Sequence, residues 1–196
     1  MKHKKLHIGI LVFILLLLVS CGIYTLLHQP PEASIRQDDI FTRGEFAAIL
    51  VQSIPLDAAS AEKEIASFPD IDGHWSEVNI EALIDADVLD PVDYPDGFFR
   101  PDEPITRAEI IKMLVRVSGL DEEAKNTQGH SGYEDQEDIK DEDKGYLIIG
   151  REAGIIGDTD DGKIHPNDPV TTGEAEDMID NATPEPDDPS ATPERS

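Results

Sequence analysis

Arg107 and Arg43 hold equivalent places in two related stretches, "RPDEPITRAE" (100–109) and "RQDDIFTRGE" (36–45). Each arginine follows a threonine and stands two positions before a glutamate. The pattern [ST]-x-x-E is a capping box. It pairs Thr106 with Glu109, Thr42 with Glu45 and, in "IHPNDPVTTGE" (164–174), Thr171 with Glu174. In such a box the threonine accepts from a backbone amide and the glutamate reaches back to the cap's own amide, so each box predicts a helix start. An arginine at the first helical position is unusual. The helix N-terminus already carries partial positive charge, and acids are the usual choice there. Two readings follow. In one, the guanidinium fork lies beside free helix amides and binds a small carboxylate-bearing ligand in two places. In the other, each arginine pairs with an acid of its own chain, which this sequence supplies in plenty. Recurrence at equivalent positions favours the first.

Other chemistry finds little support. Catalysis needs an activated nucleophile or a tuned acid/base pair in a cleft. The chain has no G-x-S-x-G, no H-E-x-x-H and no glycine loop that cradles phosphate. It is therefore read as non-enzymatic. "DTDDGKIHPND" (158–168) hints at a calcium loop, but Lys163 stands where the EF-hand needs glycine and Pro169 where it needs glutamate. His74 and His165 stand apart from other ligand types, so neither a metal nor another cofactor is expected.

The helix starts belong to repeated units. The second unit, residues 67–119, is complete. Its "SEVNIEALIDADVL" places Ile80, Leu83, Ile84 and Val88 at helical spacing, with Trp75 just before it. "DPVDYPDGFFRPDEP" is rich in turn residues and predicts a loop. "TRAEIIKMLVRV" predicts a second helix with Ile110, Leu114 and Val117 on one face. In the third unit, residues 133–182, "DGKIHPNDPVTTGE" aligns with "DGFFRPDEPITRAE", and "AGIIG" with "ADVLD". The first unit, residues 36–66, holds only the second half. A connection at 120–132 joins the second unit to the third. Repeats of this kind bury their apolar faces against one another.

The 196-residue chain carries 42 Asp+Glu against 16 Lys+Arg, a formal net charge of −26. Such a surface repels nucleic acid and anionic headgroups, so no nucleic-acid partner is expected. The basic "MKHKKLH" and the apolar "IGILVFILLLLV" lead to "LVSC", which ends at Cys21, the single cysteine. This arrangement predicts a secretory signal over 1–21. Its ending resembles a bacterial lipobox, whose cysteine is lipidated. The alternative is an uncleaved membrane anchor over 8–27, which is just long enough to span a bilayer. Both place the rest of the chain outside the cytoplasmic membrane. A spacer follows at 22–35. The proline-rich acidic tail at 183–196 predicts disorder.

"FPDIDGHWSEVNIEAL" and "YPDGFFRPDEPITRAE", with the spacing between them, resemble the S-layer homology domain over roughly residues 36–182. The resemblance implies an all-α fold of helix-loop-helix units in a pseudo-threefold assembly, here with a truncated first unit. It also implies attachment to the cell wall through a secondary polysaccharide whose sugar bears a pyruvate ketal, which is a carboxylate. By the same resemblance Arg43 and Arg107 contact that carboxylate, with Glu109 in the same motif. Trp75, Asp96 and Gly97 shape the groove, although Trp75 also suits a packing role. The third unit departs from the pattern: Thr172 stands where the arginine is expected, and the unit has no tryptophan. This leaves a second reading, a scaffold that binds an envelope protein through its acidic faces without holding glycan.

Overall fold

The computed structural model of the chain describes residues 39–54, 67–157, 159 and 161–183. The apolar N-terminal segment with Cys21, the spacer at 22–35 and residues 184–196 of the tail lie outside the described residues. Six α-helices are present among them: α1 (Arg43–Ser53), α2 (Glu77–Asp85), α3 (Arg107–Val117), α4 (Asp121–Asn126), α5 (Lys144–Glu152) and α6 (Thr172–Ala182). No strand occurs among the described residues beyond three isolated bridges, so the expected all-α class holds.

The three capping boxes form as the sequence predicts. Thr42, Thr106 and Thr171 each accept from the amide of the glutamate three residues on, and each glutamate returns a bond to the cap. The residue before each cap is apolar and fully buried: Phe41, Ile105 and Val170. Phe41 meets Phe46 edge-on at 6.4 Å, a contact that fixes how the chain enters the helix.

These three residues also close a ring about the pseudo-threefold axis. The Phe41 amide donates to the Val170 carbonyl (3.1 Å), Val170 to Ile105 (3.4 Å) and Ile105 to Phe41 (3.0 Å). Below the ring, Phe46, Ile110 and Ala175 form one equivalent layer and Leu50, Leu114 and Ile179 the next, all buried. α1 and α3 thus each bury a face against α6, which no single unit achieves alone.

α2 packs on α1 and α5 packs on α3. The expected helix over "SEVNIEALIDADVL" is shorter than its apolar spacing implies. It ends at Asp85, and Asp87 takes a left-handed conformation at φ 57°. The amides of Val88 and Leu89 then both reach back to the Leu83 carbonyl, and both side chains are buried. α5 ends the same way, with Gly154 at φ 76° and Ile155 and Ile156 returning to Gly150. A left-handed residue after a helix favours glycine, so the second unit takes a steric penalty that the third avoids. The segment read as a connection carries α4, which lies against α5.

Candidate functional site

At each seam between units, a helix start meets the loop of the next unit. The first two helical amides of α1, on Arg43 and Gly44, donate to the carbonyls of Glu103 (2.9 Å) and Pro101 (2.8 Å). Those of α3, on Arg107 and Ala108, donate to Asp168 (3.1 Å) and Pro166 (3.0 Å). The third amide goes to the capping threonine. The expectation of free helix amides is therefore corrected. Docking of the units supplies carbonyls to the donors that a helix start leaves without an intrahelical partner. Any anion at these seams must be held by side chains.

The arginines reach across the same seams. Arg43 donates from Nε to Glu109 Oε1 at 2.9 Å and lies 3.5 Å from Glu103 through Nη1. Arg107 donates from Nη2 to Glu174 Oε1 at 2.6 Å. Each arginine thus meets the capping-box glutamate of the following unit. Burial works against the Arg43 cation, but Glu109 outweighs it and the pKa is raised. Burial also pushes the Glu174 carboxyl up, yet the Thr171 amide and Arg107 bring it below its ordinary value. In the third unit Thr172 donates instead to the Asp39 carbonyl, through its amide (2.8 Å) and its hydroxyl (3.1 Å). Among the described residues the Glu45 carboxylate engages only its own cap, Thr42.

The other expected site residues occupy separate places. Trp75 is partly buried in the turn before α2, 5.5 Å from the His74 ring. His74 itself contacts Ser76 (2.8 Å) and Asp102 (3.2 Å). Asp96 and Gly97 form an exposed turn. Gly97 is left-handed at φ 78°, while Asp96 accepts from the Phe98 amide and pairs with Arg100. That turn is held from below by Asp70, whose carboxylate accepts from the amides of Phe99 (3.1 Å) and Arg100 (2.6 Å). Asp135 does the same for Ile164 and His165 in the third unit. In both, the second clamped residue is left-handed: Arg100 at φ 57° and His165 at φ 53°. Glu109 is the one expected residue brought into contact with Arg43.

Sequence reading missed a charge cluster between the second and third units. Lys112, 9% exposed, bridges Asp143 (2.7 Å) and Asp93 (2.8 Å). Arg116 joins Asp93 (2.7 Å) to Asp121 (3.1 Å). Asp121 also receives Lys125 (2.6 Å) and the Tyr146 hydroxyl (2.6 Å). Both cations lie over the Tyr146 ring, at 5.1 and 5.3 Å from its centre. Burial disfavours the charge on Lys112, but the two aspartates prevail and its pKa is raised. One signal was present: Lys112 stands inside an apolar helical run, "IIKMLV", where a lone cation needs partners.

Comparison with known proteins agrees with the repeat reading. The S-layer homology domain model matches residues 67–111 and 132–176, within the second and third units. Cell surface glycoprotein 1 of Acetivibrio thermocellus is 30% identical over 95 residues, which is 44% of this chain and 4% of that protein. A cellulosome-anchoring protein of the same organism is 30% identical over 112 residues, 51% of this chain and 25% of that protein. The chain thus spans a quarter or less of these two relatives. The capping boxes at Thr106 and Thr171 and the turns clamped by Asp70 and Asp135 fall within the two stretches that the S-layer homology domain model matches.

Proposed function

We propose that the chain is a non-catalytic cell-wall-binding module that holds an anionic, pyruvylated secondary polysaccharide. Arg43 and Arg107 take the ligand carboxylate, and Trp75, Asp96, Gly97 and Glu109 border the groove. One observation carries the reading most. Arg107 spends a single donor, from Nη2, on partners among the described residues. A guanidinium has five N–H donors in a fixed fork, so Arg107 keeps the capacity for two-point recognition of a carboxylate. The two matched repeats and the name of the cellulosome-anchoring relative support attachment at the cell surface. With lipid on Cys21, the same module tethers membrane to wall. Thr172 in the third seam implies two arginine-bearing sites rather than three.

A pull-down on purified bacterial sacculi, before and after the secondary polysaccharide is stripped, tests this reading. Retention on intact sacculi and release after stripping is the expected result. Absence of binding to both, with salt-sensitive binding to a basic envelope protein, points to the scaffold reading instead.

A further inference from the structure

The threefold relation breaks at one seam, in two ways of the same sign. In two seams a helix-start arginine meets the capping-box glutamate of the following unit, Arg43 with Glu109 and Arg107 with Glu174. In the third, Thr172 stands in the arginine's place and half-buried Glu45 in the glutamate's, and among the described residues the Glu45 carboxylate bonds only to Thr42. The second break concerns the helix that covers each seam. α5 lies on α3 over Ile111, Lys112 and Val115. Asp143, which caps α5, pairs with Lys112, and a Cβ on Gly150 would come within 2.9 Å of Ile111 and 3.6 Å of Val115. α2 lies on α1, where the equivalent positions are Ala47, Ala48 and Val51. All of these positions are buried or partly buried. On α6 they are Glu176, Asp177 and Asp180, and all three are exposed. A covering helix at this place belongs to the first unit, whose described residues begin after it, at Asp39. Residues 13–21, "FILLLLVSC", stand at the equivalent spacing in the sequence. An apolar segment without a cation does not suit three carboxylates, because contact with it strips their water and returns no partner.

We propose that the third seam is a docking surface for a helix of a partner protein that carries Lys or Arg along one face. The helix lies on α6 as α2 lies on α1 and α5 on α3, with its cations against Glu176, Asp177 and Asp180. Asp177 holds the place of Lys112, so the ion pair that joins α5 to α3 recurs there with its charges exchanged. Thr172, Glu176 and Asp180 follow at i,i+4 spacing, so one stripe of α6 runs from the acidic face to the helix start, where Thr172 replaces the arginine. A partner cation that reaches Glu45 there takes the part that Arg43 and Arg107 play in the other two seams. Charge complementarity selects the partner: acids at all three covering positions reject an acidic or apolar helix and steer a basic one. The surface is separate from the two arginine-bearing seams, and the inference does not rest on the wall-glycan reading.

The probe is an alanine-based helical peptide of about 18 residues with lysines at i,i+4 spacing, and its counterpart with glutamates in their place is the control. Fluorescence anisotropy of the labelled peptide reads binding to the full chain, held in detergent at physiological ionic strength. Glu176→Lys with Asp180→Lys reverses the α6 face. Glu123→Lys with Glu152→Lys changes the net charge equally at exposed positions on α4 and α5. Melting temperatures confirm that each variant folds. Wild type is expected to bind the lysine peptide and not the glutamate one. The α6 pair should weaken that binding about tenfold or more, and the control pair by no more than about twofold. Glu45→Gln, which keeps its capping box, should weaken it about threefold. Equal losses in the two pairs overturn the inference, because the peptide then answers to net charge alone. A wild-type chain that does not bind the lysine peptide overturns it as well.

Discussion

Arg107 of the second unit and Glu174 of the third are joined at 2.6 Å across a seam, and Glu174 at the same time closes its own capping box through Thr171. One carboxylate thus serves a helix start and neutralises part of the charge that the proposed ligand needs. The Arg43–Glu109 pair repeats the arrangement one seam earlier. A ligand carboxylate must compete with an internal one, and the internal one is tethered.

Glu174→Gln tests that competition. Glutamine at the third helical position still supports a capping box, but it no longer carries the charge that holds Arg107. Affinity for the anionic glycan should rise severalfold, while the melting temperature falls by no more than a few degrees. A fall in affinity shows that Glu174 positions the arginine rather than competing for it. Titration of glycan against both proteins distinguishes the two.

Lys112→Met probes the seam between the second and third units. The substitution leaves Asp143 without its lysine, and Asp93 with Arg116 alone. An uncompensated buried charge costs about 3 kcal/mol or more. Urea denaturation should show this loss, and Lys112→Met with Asp143→Leu should recover part of it, because the orphaned carboxylate is gone.

Gly145→Ala tests the close approach of α5 to α4. A Cβ on Gly145 sits 2.0 Å from the Ala124 carbonyl oxygen, so the backbone must shift. Overpacking of this kind costs about 1–3 kcal/mol. A melting temperature equal to wild type contradicts the docking of α4 on α5.

Much of this architecture is legible in the sequence. The three T-x-x-E boxes specify their own geometry locally, so Thr42, Thr106 and Thr171 cap where expected. The apolar positions at Ile110, Leu114 and Val117 declare a helical face by spacing alone; the first two are fully buried and Val117 packs partly buried against the core. What was not legible depends on docking. Nothing in "TRAE" says that carbonyls of Asp168 and Pro166 fill the helix start, because those belong to another unit. Lys112 finds Asp143 31 residues away, a pairing that no local pattern encodes. Val88 looked helical by period. It is buried instead by a left-handed turn at Asp87, where an unhelpful residue type concealed the helix end.

Acid should weaken the same seam in a defined window. Burial pushes the Asp121 carboxyl up, but hydrogen bonds from Lys125, Tyr146 and Arg116 prevail and bring it down to about 2. A carboxyl whose pKa is lowered by folding stabilises the fold above its ordinary value of 3.8, and that contribution is lost as pH falls through about 2. Solvent reaches this group, so its contribution is about 1 kcal/mol. Asp121→Asn should flatten stability between pH 4 and 2 relative to wild type. Identical acid profiles contradict the assignment.

The central claim is that the arginines at the helix starts hold a carboxylate of the wall glycan. The most direct measurement is the affinity of wild type and Arg107→Ala for purified sacculi bearing pyruvylated polysaccharide, with melting temperatures recorded in parallel. Loss of a charge-assisted, two-point contact corresponds to about 1.5–3 kcal/mol, or roughly tenfold to a hundredfold in affinity. The account predicts that loss with little change in melting temperature, since Arg107 contributes one partly exposed ion pair to the fold. Unchanged affinity in a folded Arg107→Ala protein contradicts it.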